Sequence, residues 1–429
     1  MGNYVFWKKV LLLDIEDRST NAICRLCHWI IEMKIMKRCV SRILALQLIV
    51  SVLALCLNAQ LCRSTSATIV VPDNYPIIQE AIDHANAGDT IFVRAGTYVE
   101  HIDVNKPITL KGESSQNTTL KVGKGDNWGF GLHVLASNVT ISGFNITGDN
   151  DLATLVMIDG RNGPCDNEVF TDNIIMAEAQ TALGACLSTG TRVSNNLVIV
   201  DKSSGSGLDF DSSHSCVVDN NTINGGWLGI YCAAFSSNML ISNNVVTGQT
   251  SDMDSGAITL MNSQNITVVG NTVANNEKGI YLVRQMGDLI CRNKFINNSK
   301  QVDFYEWVSA ISWDDGYPLG GNYWSDYSGT DVYSGRYQNE TGSDGKGDTP
   351  YVIDSGNRDN YPLMNPYWNP ADVNRDLRVD IKDVLAVSWA FGSFPSDPRW
   401  NPLCDINHDD KVDMRDYYIV CSNYGKKYP

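Results

Sequence analysis

Two segments near the carboxyl terminus place oxygen donors at one repeated spacing. Asp372, Asn374, Asp376, Arg378, Asp380 and Asp383 stand at positions 1, 3, 5, 7, 9 and 12 of the first; Asp405, Asn407, Asp409, Lys411, Asp413 and Asp416 repeat them 33 residues on. Side-chain oxygens at 1, 3, 5 and 12 with a backbone carbonyl at 7 suit Ca²⁺, which takes six to eight hard oxygen ligands. Arg378 and Lys411 would therefore act through their carbonyls, Asp380 through a water and Asp413 more remotely. Two Ca²⁺ ions are expected, and carboxylates this dense should couple folding to the metal. Repetition at every ligand position argues against a merely solvated acidic surface.

A second chemistry is thinly written in Gly207–Asp211. Strand alternation sends Leu208 and Phe210 to one face, Asp209 and Asp211 to the other. Two carboxyl groups about 7 Å apart approach the span of an inverting glycosidase, and His214 lies close by in sequence. A solvated pair on a polar outer face is the plainer reading. Asp252 with Asp254, and Asp303 with Glu306, are weaker pairs. Arg284 could serve a lyase, but no motif supports one.

The elements that would position these groups come from a repeat of about 25 residues. Of 40 Asn in the chain, 22 lie between residues 131 and 298. Segments such as Val217-Val218-Asp219-Asn220-Asn221-Thr222-Ile223 and Leu240-Ile241-Ser242-Asn243-Asn244-Val245-Val246 align on Asn145, Asn173, Asn196, Asn221, Asn244, Asn271 and Asn293, at spacings of 28, 23, 25, 23, 27 and 22. Between copies a further strand opens at Gly207, Gly229, Gly256 or Gly279. β-Branched residues dominate, so these are strands rather than helices. A unit unable to bury its own apolar face must stack on its neighbours. Asn tolerates the left-handed backbone of a sharp corner, and stacked corners put amide over amide at about 4.8 Å. A propeller blade needs about 40 residues, so the period predicts a parallel β-helix. Pro76–Asn86 predicts a one-sided helix of about three turns that caps its open first rung.

The run IIQEAIDHANAGDTIFVRAGTYVEHIDVNKPITLKGE resembles the opening of right-handed parallel β-helix proteins of the pectin-lyase type, and more closely the NosD-like carbohydrate-binding and sugar-hydrolase group. The likeness covers roughly residues 68–368, including Trp313–Trp324 and Gly342–Asp354. It implies a solenoid over 68–311 with a Gly-, Asp- and aromatic-rich carboxyl-terminal cap over 312–368. The alternative for that tail is a surface contacting sugar or cation. The NosD name carries a copper association, but Met and His are not clustered beyond the leader, and copper is set aside. The duplicated acidic loops, with Asp at position 12 and no preceding helix, resemble a type I dockerin over 371–425. That resemblance implies a small α-helical module docking to a cohesin-like or other surface protein. Leu377 and Asp410 replace the expected Gly at position 6, and Ile381-Lys382 and Met414-Arg415 replace the small hydroxyl residues that usually meet cohesin.

The fold class expected is therefore mainly β, a single right-handed parallel β-helix with a small helical Ca²⁺ module behind it. The amino terminus reads as an address. Ile43–Leu57 is uncharged, follows Lys37, Arg38 and Arg42, and precedes a small-residue site, so 36–59 is a signal peptide or an uncleaved anchor. Residues 1–35 form an upstream extension, in which Cys24-x-x-Cys27 lacks a second pair for zinc. The chain has 429 residues, 43% hydrophobic and 19% charged, with net charge −15. That balance excludes a disordered chain, and the acidic body excludes nucleic acid as a partner. Membrane contact is expected only through an uncleaved 36–59 segment. Cys404 and Cys421 could pair or sit in the core. These features predict a secreted or cell-surface protein that binds polysaccharide or glycan, or acts as a scaffold. A glycoside hydrolase or polysaccharide lyase carrying a dockerin is the alternative, and a purely structural surface protein a third.

Overall fold

The computed structural model describes residues 66–427 apart from 126–128, 149–150, 179–180, 202–204, 251–253, 367–370, 375–377 and 408. The expected signal segment, upstream extension and Cys24/Cys27 pair lie outside the described residues. No described helix is long and apolar enough to cross a membrane.

Each coil contributes one short strand to each of three parallel sheets, which hold ten, nine and ten strands. The result is a right-handed-type parallel β-solenoid of about ten turns. One coil shows the rule. Val217–Asp219 lies in the first sheet, Thr222–Gly225 in the second and Leu228–Ala233 in the third, whose nine strands run from Ile102–Val104 to Lys300–Ser309. The next coil repeats it in register, Val218 over Ile241, Ile223 over Val246 and Ile230 over Ile258. Alternate residues point inward, and these Val, Ile and Leu side chains are completely buried. The interior is thus a column of like on like, which is why the β-branched repeats cannot stand alone.

The corner between the first two sheets divides its work between two adjacent residues. The first takes the left-handed backbone: Gly143, Asp172, Asn195, Asn220, Asn243, Gly270 and Arg292 all have φ between 54° and 77°. The second turns its amide inward as a ladder. Asn173 Nδ2 donates to Asn196 Oδ1 at 3.2 Å, and the chain continues through Asn221, Asn244, Asn271 and Asn293 to Asn322 at 2.9–3.0 Å. Asn145 is not part of it, contrary to the sequence alignment. Gly143 makes the turn, buried Phe144 takes the ladder position, and Asn145 begins the next strand opposite Ile174. The expectation that the laddered amide itself makes the turn is likewise corrected.

Both ends of the column are closed. The expected three-turn helix is shorter, Ile78–His84, with Ile78, Ala81 and Ile82 buried. It lacks a side-chain cap of its own, and the Glu100 carboxylate accepts from the Ile78 and Gln79 N–H groups at 2.9 and 3.0 Å instead. At the far end Trp324 stacks on Phe295 at 4.6 Å and beneath Tyr351 at 4.4 Å, with Trp313 beside it. Buried Asp359 accepts from Asn322 N and Trp324 Nε1, fixing this plug.

Residues beyond 370 build a second small core of Ala371, Val373, Val379, Val387, Ala390, Cys404, Ile406, Val412 and Val420. Its helices, Ile381–Ala390 and Met414–Asn423, carry identical capping boxes from Asp380/Asp383 and Asp413/Asp416. Val379 exchanges backbone bonds with Gly425 and Lys426, while Val412 exchanges them with Gly392 and Ser393. The sequence duplication is thus a structural one. Cys404 and Cys421 are both free thiols, the first buried and the second exposed.

Candidate functional site

Asp209 and Asp211 emerge side by side on the outer face of the third sheet, as strand alternation predicts. Asp209 lies in register between Gly184 and Tyr231, and Asp211 between Cys186 and Ala233. Gly184 leaves room for Met157, whose sulfur sits 3.2 Å from where a Cβ would be. Asp209 is therefore flanked by Tyr231 and an apolar floor. Its Oδ1 is sealed from solvent with no hydrogen-bond partner. Burial, and then the charge of Asp211, push its carboxyl up to about 7. Asp211 is exposed, and its Oδ1 accepts from Ser212 Oγ at 3.2 Å. His214 is engaged elsewhere, Nδ1 lying 3.0 Å from Ser237 Oγ.

The other sequence candidates separate. Asp252 lies outside the described residues. Asp303 is bound by Lys300 at 2.5 Å and Lys278 at 3.0 Å, which neutralises it. Arg284 and Glu306 form a two-point ion pair, Nη2 to Oε1 at 2.6 Å with Nε on Oε2.

That ion pair belongs to a site the sequence reading missed. On the third sheet, successive coils turn at Ser212, Ala234 and Asn262, just past their strands, and at Arg284 and Glu306 within the longer strands Lys278–Met286 and Lys300–Ser309, all at positive φ. Beyond these corners an open pocket of about 220 Å³ is lined by Phe235, Asn262, Ser263, Gln264, Arg284, Met286 and Trp307. Phe235 is 78% and Trp307 56% exposed, although apolar groups of that size normally bury. Two free aromatic faces with planar amides and a guanidinium between them can stack on a flat apolar surface and hydrogen-bond its polar rim. The sequence signal shows only once the coils are aligned, when Phe235 and Trp307 each follow an equivalent corner residue, Ala234 and Glu306.

A polar network crosses the earlier coils. His133 Nε2 lies 3.1 Å from Asp159 Oδ2 and its Nδ1 3.6 Å from Asp103, which also meets His101 Nε2 at 3.1 Å. Arg161 clamps Asp159, and its hydrogen bonds hold that carboxyl down to about 2. The imidazoles are thus occupied by carboxylates.

In the carboxyl-terminal module, Asp372, Asp383, Asp405 and Asp416 are buried. Asp416 Oδ1 accepts from the N–H groups of Ile406 and Asn407, and Asp405 from those of Asp409 and Asp410. Asp383 does the same for Asn374 and Asp380. Asn407 Nδ2 and Arg415 both reach Asp409, Asp413 caps Arg415 N, and Asp380 caps Lys382 N. Asp410, at the sixth position, adopts φ 62°, the left-handed turn that a Ca²⁺ loop needs there. Arg378 bridges to Lys427, and Lys411 is exposed. Asp376 lies outside the described residues.

The sequence model of a family described as periplasmic copper-binding protein (NosD) matches residues 79–329, more than half of the chain. Among the described residues no three His, Cys, Asp or Glu side chains form a group that could hold a metal ion. Solved structures of similar fold include bacteriophage CBA120 tailspike protein 2 (11% identity, TM-score 0.42, 54% of this chain and 39% of that one). DFA-IIIase of Arthrobacter chlorophenolicus A6 is similar at 16% identity and TM-score 0.35, over 53% of this chain and 58% of that one. Pectin methylesterase PemA of Erwinia chrysanthemi is similar at 12% and 0.32, over 52% and 89%. No curated protein matches the sequence. The family match over the coils that carry both the carboxyl pair and the pocket decides the kinship: this chain belongs to the NosD family.

Proposed function

We propose that this protein binds carbohydrate in the cell envelope or outside the cell, through the corner pocket of its β-helix, and is held to a partner by its carboxyl-terminal module. One observation carries the reading: two solvent-facing rings, Phe235 and Trp307, flank Asn262, Gln264 and Arg284 on consecutive coils of a rigid wall. Sugars offer an apolar face ringed by hydroxyls, and this pocket offers the complement. The periplasmic description of the family supports an envelope location.

The carboxyl-terminal loops bind two Ca²⁺ ions in this proposal, through Asp372, Asn374, Asp376, Asp383 and the Arg378 carbonyl, and through Asp405, Asn407, Asp409, Asp416 and the Lys411 carbonyl. The left-handed turn at Asp410 and the pairwise backbone bonds of the two halves support it. The partner is a cohesin-like or other surface protein.

Calorimetry of the full chain with soluble polysaccharides tests the binding role. Phe235→Ala and Trp307→Ala should each weaken binding at least tenfold, about 1.4 kcal/mol. Equal affinity of wild type and the double variant, or no binding to any polymer, would remove the pocket from the account.

A further inference from the structure

We infer that Asp209 and Asp211 form a hydrolytic pair that cleaves a neutral polysaccharide held by the Phe235–Trp307 pocket, which rests on the carbohydrate-binding reading above. The two sites lie along one line. Asp211 is in register with Ala233, two residues before Phe235, and the same file continues through Met261 and Val283 to Tyr305, two residues before Trp307. At about 4.8 Å per coil the line from Asp211 to Tyr305 is on the order of 20 Å, the reach of a short oligosaccharide. Ala233 presents only a methyl group beside Asp211, and Tyr231 sets a ring beside Asp209 on the same face.

The pair is divided as acid and base by its surroundings. Asp209 has one oxygen sealed and unpartnered, so its proton resides on the other. Desolvation keeps that proton in place up to about pH 7, while exposed Asp211 remains hydrated. Unequal environments of two neighbouring carboxyl groups are how such roles are assigned.

The reaction is a single displacement. Asp209 gives its proton to the glycosidic oxygen as the bond from that oxygen to the anomeric carbon breaks. Asp211 takes a proton from water as the water oxygen bonds to the same carbon from the opposite face. One water is consumed, one reducing end appears, and the anomeric configuration inverts. Solvent then removes the proton from Asp211 and restores that of Asp209.

The substrate class follows from charge. Arg284 is the cation among the pocket's lining residues, and Glu306 matches it in a two-point pair, leaving no net charge for a uronate. The carboxylate of Asp211 itself repels one. A neutral polymer fits.

The test uses the full chain with amylose, mixed-linkage β-glucan, xylan, galactomannan and arabinan, and with polygalacturonate as the charged comparison. Reducing ends and calorimetric binding are measured in parallel. We expect cleavage of a neutral polymer and none of polygalacturonate, with activity falling as pH rises through about 7. Asp209→Asn and Asp211→Asn, both near-isosteric, should retain binding and lose at least 100-fold in rate. Wild-type binding without any release of reducing ends would overturn the hydrolytic role and leave the binding role standing. So would undiminished cleavage by either variant. Failure to bind any of these polymers would overturn both.

Discussion

Asn244→Ala tests the amide ladder at its centre. Asn244 is fully buried. Its Nδ2 donates to Val218 O at 2.8 Å and to Asn271 Oδ1 at 2.9 Å, and its Oδ1 accepts from Asn221 N and Nδ2 at 2.9 and 3.0 Å. Alanine keeps the backbone bond to Asn271 but strands the Asn221 N–H and removes the donor from Val218 O. One orphaned buried donor costs about 1–3 kcal/mol, and the lost amide leaves a void besides, so a loss of about 3 kcal/mol is expected. Asn224, exposed on the preceding coil, provides the comparison: Asn224→Ala should stay within about 0.5 kcal/mol. Urea unfolding followed by circular dichroism gives the difference, after coincident probes establish a single transition. Hydrogen exchange should also show faster opening of the coils on either side, because a solenoid transmits instability to its neighbours. Equal midpoints for the two variants would show that the ladder does not hold the column together.

Three further outcomes follow from other parts of the molecule. Burial raises the carboxyls of Asp288 and Asp359 to about 7; the folded state holds protons that the unfolded chain has lost, so stability should fall as pH rises from about 4 to about 7. Each group contributes a slope of about 1.4 kcal/mol per pH unit, and Asp288→Asn should flatten a thermal melt series across that window; an unchanged slope refutes the assignment. Gly229→Ala brings a Cβ to 2.4 Å from Ala257 O and from Val246 Cγ1, and should cost about 3 kcal/mol or more by chemical unfolding, whereas a neutral result would mean that the coils can spread. Chelation of the full chain should remove the helical signal of Ile381–Ala390 and Met414–Asn423 while the β signal persists; identical spectra and melting with and without chelator would count against two Ca²⁺ ions.

Period and composition carried the solenoid in the sequence, because like-on-like stacking forces the same residue types to recur. Six of the seven aligned Asn fall in one file, and the slip at Asn145 has a local cause: Gly-Phe-Asn puts an apolar filler after the turn residue where the other coils put the laddered Asn. Asn322 continues the ladder from within the Gly- and Tyr-rich tail, where no strand period marks it. The short first helix was misjudged because its N–H groups are satisfied by Glu100, 22 residues away from Ile78, and no local pattern reports a distant cap. The Asp209/Asp211 face was legible from alternation, but the sealed oxygen of Asp209 depends on Tyr231 and Met157 from other coils. The pocket was illegible for the same reason, since Phe235 and Trp307 are 72 residues apart and meet only through register.

The specialised ends have a consequence for how such a molecule can change size. A helix seats only on the first rung and a tryptophan plug only on the last, so neither terminus can accept an added coil without losing its seal. Lengthening must occur by duplication of an interior unit of about 25 residues, each insertion moving the plug about 4.8 Å further along the axis. The distance between the two termini of the column then acts as a ruler graduated in whole coils, adjustable by gene duplication while every existing contact inside is copied rather than redesigned.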